Sequence, residues 1–288
     1  MIAITAVPAI PPRERDSHKG TYGHVLVIGG SLGMTGAPVM ACEAALRAGA
    51  GLVTCACPVH VAAIVAAKLT EAMTFPLPAD ARGCFNAEAL RIMLAAAERF
   101  DAFVIGPGLD PQAAARDFVR ALVDGVRRPF VVDAGALRAF DRERPLPAHC
   151  VATPHPGEFA LLTGAPAAAV QRDRRAAAER FMQSNDGVLV LKGSGTIVCA
   201  KDRFYVNTTG NPGMATGGAG DVLAGVLGAL LAQGWDPFQA AVLGVWLHGR
   251  AGDLACEELG EESLIAGDIT RHLAAAIRER KTSSGGRT

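Results

Sequence analysis

A single carboxylate stands at the seam of "GNPGMATGGAGDVLAGVLGALLAQG", residues 210–234. Gly210, Gly213, Gly217, Gly218 and Gly220 precede Asp221, and the stretch after it is almost wholly apolar. Glycines let backbone N–H groups turn toward an anion without Cβ clashes. A helix starting near Ala219 adds the positive end of its dipole, so the segment reads as a phosphate cradle. An acid there would repel phosphate, but it can take the proton of a hydroxyl about to attack one. Aspartate is also favoured at helix starts, so the spacing alone leaves a capping role for Asp221 open. The four small residues Gly217, Gly218, Ala219 and Gly220 exceed what a cap needs and favour catalysis.

Two further segments carry chemistry. "LKGSGTIV" places Lys192 between two predicted strands and beside glycines, where it either meets phosphate or ends a strand as a solvated charge. "TPHPGE" mounts His155 between Pro154 and Pro156, which restrict the backbone on both sides. Glu158 follows, either orienting magnesium or water or serving as an early-helix acid favoured by the dipole.

These residues must be held at the ends of strands. "HVLVIGG", "GLVTCAC", "DAFVIGPG", "PFVVDAG", "CVATPHPG" and "GVLVLKG" read as strands, most of them closing on glycine or a proline turn. Helical patterns such as "APVMACEAALRAGA", "AEALRIMLAAAERF" and "AAARDFVRALVDGV" lie between them. That alternation predicts an α/β fold, a mainly parallel sheet between helical layers, with ligands beyond the carboxyl ends of the strands. "GTIVCAKDRFYVN" reads as a hairpin at the sheet edge. Residues 281–288 read as a disordered tail, and the chain as one domain over 1–288.

Composition narrows the class. Lys+Arg and Asp+Glu are both 28, which gives no support for a nucleic-acid or membrane partner. The seven cysteines include no CxxC pair and read as buried free thiols in a reducing compartment. No signal peptide or membrane span is legible, and a cytoplasmic protein is expected. Neither GxxxxGK[ST] nor a strand-linked GxGxxG occurs, so phosphates would be held by other means.

"NPGMATGGAGDVLAG" resembles the C-terminal signature of the ADP/ATP-dependent NAD(P)H-hydrate dehydratases of the ribokinase-like superfamily. "SHKGTYGHVLVIGGSLGMTGAPVMACEAALRAGAGLVT", "VIGPGL", "VVDAGAL", "TPHPGEFALLTG" and "LKGSGTIV" agree in the family's order, and the similarity runs from Asp16 to His272. The resemblance implies a ribokinase-like fold. It implies dehydration of the S-epimer of hydrated NADH or NADPH, driven by ADP or ATP with magnesium. Bacterial members typically convert ADP to AMP and phosphate. Asp221 would be the base on the ring hydroxyl. Gly217, Gly218, Ala219 and Gly220 would hold the transferring phosphoryl, with Gly220 also touching the nucleotide. Lys192, Gly193, Ser194, Gly195 and Thr196 would line the nucleotide site. Ala37, Gly106, Gly108, His155 and Asp221 would contact the hydrated dinucleotide. A homotetramer and a functional link to a separate epimerase are also implied.

One departure stands out: Asp133 is kept in "VVDAGAL", but Gly135 occupies the place where the family commonly has a second acid. Two alternatives share these parts. A hydroxyethylthiazole- or pyridoxine-type kinase would release a stable phosphorylated alcohol, against which "TPHPGE" and "SHKG" speak. A non-catalytic nucleotide sensor could dispense with Asp221.

Overall fold

The computed structural model describes residues 1–110, 113–141 and 143–282. Its strands are β1 (Ile2–Ile4), β2 (His24–Ile28), β3 (Leu52–Pro58), β4 (Met73–Leu77), β5 (Ala102–Ile105), β6 (Phe130–Val132), β7 (Cys150–Ala152), β8 (Val188–Leu191), β9 (Ile197–Cys199) and β10 (Arg203–Val206). The helices are α1 (Gly36–Arg47), α2 (Ala62–Lys68), α3 (Ala87–Ala96), α4 (Ala113–Gly125), α5 (Pro156–Thr163), α6 (Ala167–Arg172), α7 (Arg174–Met182), α8 (Ala219–Ala232), α9 (Pro237–Leu259) and α10 (Ala266–Thr282).

The strands form one sheet in the order β1-β10-β9-β8-β7-β6-β5-β2-β3-β4, in which only β9 runs against the rest. The expected hairpin is present as β9 and β10, with Phe204 opposite Cys199. It is not at the edge. The N-terminal strand β1 pairs with β10, Ile2 against Arg203, and takes the outer place. That pairing satisfies a row of backbone groups that β10 would otherwise expose. The strand β4 at the far edge also lay outside the sequence reading, because "MTFPL" carries a proline, which the sheet tolerates at an edge. Where the tail was expected to begin, at 281, α10 still continues through Thr282, and the rest of that segment, residues 283–288, lies outside the described residues.

Both sheet faces are buried, which explains the near-continuous apolar strand runs. Alternation sends Val25 and Val27 of β2 to one face and Leu26 and Ile28 to the other. The first face packs against α1, α8, α9 and α10, and the second against α3, α4, α5 and α7. The chain leaves β2 outward to β3 and β4, then returns to lay β5 on β2's other side. The β2–β5 junction is therefore the switch point of the sheet, where open α/β folds place their ligands.

Helix α8 is wedged between α1 and the sheet, and glycines make this possible. A Cβ on Gly225 would stand 2.1 Å from the Ala41 carbonyl oxygen, and one on Gly228 would stand 2.3 Å from a Val104 methyl. Gly225→Ala is expected to destabilise the fold by about 1–3 kcal/mol, because backbone of α1 would have to move. Gly267→Ala in α10, where a new Cβ meets nothing within 4 Å, is the control and should stay within about 1 kcal/mol of the parent. Urea unfolding of both variants checks the contrast.

Candidate active site

The glycine loop and α8 meet as anticipated. Gly218 is the N-cap of α8, with φ 93°, and no side chain caps the helix. Asp221 is therefore the third residue of the helix and not its cap. The N–H groups of Gly217, Gly218 and Gly220 have no backbone acceptor among the described residues, whereas that of Ala219 turns back on the Thr216 carbonyl at 3.4 Å. The uncapped turn leaves donors and the positive helix end for an anion.

Lys192 follows β8 at the same place. Its Nζ donates to Asp133 Oδ1 at 2.9 Å and lies 3.8 Å from Glu158 Oε2. Burial pulls this ammonium down, but Asp133, Glu158 and Asp221 outweigh burial and hold its pKa above the usual lysine value. The sequence reading offered phosphate contact or solvated charge. The structure sets aside the solvated charge: the lysine is seated among three carboxylates while it lines a cleft. Gly220 gives it room, since a Cβ there would stand 3.2 Å from Nζ. Asp133, 2 % exposed, is fixed further by Thr153, whose hydroxyl donates to Oδ1 at 2.7 Å.

Asp221 is half-buried beside this pair. Burial first, then the negative charge of Asp133, pushes its carboxyl up to about 7, against the opposing pull of Lys192. A carboxylate poised near neutrality suits a general base.

Two clefts open onto the cluster and share His155. One, of about 770 Å³, is walled by Lys192, Gly193, Ser194, Gly195, Thr196 and Gly220, the predicted nucleotide segment. The other, of about 700 Å³, holds Gly108 and Glu158. His155 is mounted by a capping box as well as by its prolines. Its Nδ1 accepts from the N–H of Gly157 at 3.0 Å and of Glu158 at 3.3 Å, while Glu158 Oε2 accepts the His155 N–H at 2.8 Å. With Nδ1 an acceptor, the neutral ring carries its proton on Nε2.

Gly106, Ala37, Gly217, Gly218 and Asp221 are not among the residues that line either cleft. The glycines read as openings for substrate are needed first by the protein's own chain. A Cβ on Gly106, with φ 129°, would fall 1.7 Å from the Asp133 carbonyl oxygen. One on Gly108, with φ 69°, would fall 2.5 Å from the Met34 carbonyl oxygen and 3.3 Å from the Ala37 methyl. Gly135 has a like reason, because a Cβ there would meet the Leu109 carbonyl oxygen at 2.5 Å. The second acid could not be restored in this chain unless the segment at Leu109 moved.

Three residues of this region escaped the sequence reading. Arg174, at the start of α7, donates Nη1 to the Ser194 carbonyl at 2.6 Å and Nη2 to those of Leu191 and Lys192 at 2.9 and 3.1 Å. It shapes the loop after β8 from behind, yet "QRDRRAAAER" reads as a solvated helix face. His248 of α9 is pushed down to about 4 by burial, so it is neutral and donates Nε2–H to the Ala219 carbonyl at 2.9 Å. Asp253 accepts the Gly210 N–H at 3.0 Å and the Asn211 amide at 3.0 Å, anchoring the approach to the glycine loop. No cluster of three His, Cys, Asp or Glu suited to a metal occurs among the described residues. None of the described helices is long and apolar enough to cross a membrane.

Comparison with known proteins agrees with this geometry. The family model for NAD(P)H-hydrate dehydratase matches residues 25–274. A bifunctional NAD(P)H-hydrate repair enzyme of Moorella thermoacetica is 46% identical over 93% of this chain and 52% of its own length. The chain thus spans about half the length of several curated relatives it matches. The ADP-dependent (S)-NAD(P)H-hydrate dehydratase of Neisseria meningitidis is 40% identical over 94% of this chain and 90% of its own. A solved structure of the ADP/ATP-dependent NAD(P)H-hydrate dehydratase from Bacillus subtilis, co-crystallised with ATP and magnesium, superposes with a TM-score of 0.83 at 30% identity, covering 94% of this chain and 95% of that one. Solved ribokinase-like proteins share the fold.

The Asp221 environment predicts a stability signature. The folded chain holds this proton more tightly than the unfolded chain, whose aspartate titrates near 4. Its stabilising contribution is complete below that value and is lost as pH rises through about 7. Asp221→Asn should therefore raise the melting temperature at pH 8 and change it far less at pH 5. Equal shifts at both pH values would show that the carboxyl is not perturbed.

Proposed function

Because the chain belongs to the NAD(P)H-hydrate dehydratase family, we propose that it removes water from the S-epimer of hydrated NADH or NADPH at the expense of ADP or ATP. The observation that carries this reading is the placement of Asp221. It sits in the first turn of an uncapped helix, close enough to Lys192 for their charges to interact, directly after Gly220, which with Lys192 lines the cleft that shares His155 with its neighbour.

The cleft walled by residues 192–196 takes the nucleotide, and the cleft holding Gly108 and Glu158 takes the hydrated ring. The terminal phosphate of ADP lies against the N–H groups of Gly217, Gly218 and Gly220. Asp221 accepts the proton of the ring hydroxyl as its oxygen bonds to that phosphorus. The bond from phosphorus to the bridging oxygen breaks, and AMP leaves. The ring nitrogen then expels phosphate from the adjacent carbon, a proton leaves the next carbon, and the dihydronicotinamide is restored. Without phosphorylation the leaving group would be hydroxide, so the kinase-like step makes the elimination feasible. Lys192 supplies positive charge beside the transfer and keeps Asp221 from holding its proton more tightly. His155, fixed as an Nε2 donor between the clefts, orients the hydrated ring. Magnesium commonly takes one or two carboxylates plus substrate phosphates, and Glu158 is the carboxylate placed to share it; the ion would neutralise phosphate charge. A cytoplasmic homotetramer, functionally linked to an epimerase that supplies the S-epimer, completes the reading.

Turnover of hydrated NADH with ADP, followed by recovery of the reduced-nicotinamide absorbance and by release of AMP and phosphate, tests it. A stable phosphorylated alcohol would identify a small-molecule kinase instead. Asp221→Asn should lower the rate by on the order of 10² to 10⁴ while leaving nucleotide affinity in place. Near-parental turnover would remove Asp221 from the mechanism. Lys192→Ala should weaken nucleotide binding and also move the rising limb of the pH–rate profile to higher pH, because the Asp221 carboxyl loses its opposing cation.

A further inference from the structure

Resting on the dehydratase reading, we propose that Arg116 and Arg138 form a phosphate-recognition site in the cleft of about 700 Å³, where they grip the phosphates of the hydrated dinucleotide. Both side chains line that cleft and both are exposed. Neither makes a hydrogen bond or ion pair among the described residues.

Their positions are set by the fold. Arg116 lies in the first turns of α4, four residues before Arg120, so the two share a helix face. Arg120 donates Nε to the Ala139 carbonyl at 2.7 Å, which pins this face against the turn Ala134–Ala139 that carries Arg138. Two guanidinium groups without partners among the described residues thereby line one cleft.

The acids nearby are already occupied. Asp141 Oδ2 accepts from Arg120 at 3.1 Å, and its Oδ1 accepts the backbone N–H of Glu143 at 2.9 Å and of Arg144 at 3.0 Å. Glu158 Oε2 accepts the His155 N–H at 2.8 Å and faces Lys192 at 3.8 Å. The cleft therefore presents two positive charges without partners among the described residues, while its two carboxylates, Asp141 and Glu158, are each already set against a cation and backbone donors. A hydrated dinucleotide carries a diphosphate bridge, and its NADPH form carries a further phosphate on the adenosine ribose. Planar guanidinium groups match phosphate oxygens in pairs. With the reacting ring held at His155, the rest of the dinucleotide extends along the wall bearing Arg116 and Arg138.

The test uses Arg116→Gln, Arg138→Gln and the double variant, with Arg138→Lys as partial rescue and Arg91→Gln, outside the cleft, as the charge control. Each cleft variant should raise KM for the hydrated dinucleotide about tenfold or more, with no comparable rise in KM for ADP. The dependence of that KM on salt should flatten. Equal rises for hydrated NADH and hydrated NADPH assign the pair to the diphosphate bridge, and a rise for hydrated NADPH alone assigns it to the ribose phosphate. Calorimetric titration of NADP⁺, which carries the same phosphates, should show a parallel loss of affinity. This titration keeps the proposal separate from the catalytic reading: a parent protein that binds NADP⁺ through these arginines but turns nothing over would sink only the latter. A double variant with unchanged KM and unchanged NADP⁺ affinity would overturn the proposal, as would a parent protein that neither binds NADP⁺ nor acts on the dinucleotide.

Discussion

The ion pair between Lys192 and Asp133 is the contact on which the site's architecture turns. It ties the end of β8 to the end of β6 across β7, and Gly220 at the start of α8 is shaped to leave room for it. Asp133 is almost wholly buried and its other partner is the Thr153 hydroxyl. Removing one member of such a pair leaves an uncompensated charge, typically costing about 3–5 kcal/mol. The pair also sets the electrostatics of its neighbour. Asp133 raises the Asp221 carboxyl and Lys192 restrains it, and with burial the balance falls near neutrality. A single fixed cation among three carboxylates thus links folding to the protonation of the proposed base.

Close backbone approach is the second constraint. The strand ends at the switch point come together because Gly106 and Gly108 have no side chains to obstruct Asp133 and Met34. The same applies on α8, where Gly225 admits α1. Neutral His248 adds a tie from α9 to the first turn of α8 through the Ala219 carbonyl.

Charge is divided between the two clefts in different ways. Behind residues 191–195, Arg174 spends its guanidinium on backbone carbonyls, so its charge is held near that loop while its donors shape it. Along the other cleft, Arg120 is neutralised by Asp141, while Arg116 and Arg138 are left to solvent or ligand. One cleft is thus built around a preformed loop and the other around free side-chain charge.

Much of this was legible in the sequence, because it depends on neighbours along the chain. Apolar strand runs ending in glycine, helical spacing between them, and four small residues before Asp221 are local patterns, and they placed the mainly parallel sheet, the β9–β10 hairpin and the glycine loop. The ordered motifs likewise carried the family. What the sequence could not show depends on contacts between distant segments. Nothing in "MIAITAVPAI" signals that Ile2 will seal the sheet edge beside Arg203. Nothing around Arg174 distinguishes it from the arginines beside it, and only folding brings it under residues 191–195. That Asp221 is not the helix cap also needed the tertiary structure. Residue type and spacing fit both roles. The helix boundary at Gly218 and the burial beside Asp133 and Lys192, 59 residues apart in the chain, are what set its position and its proton affinity.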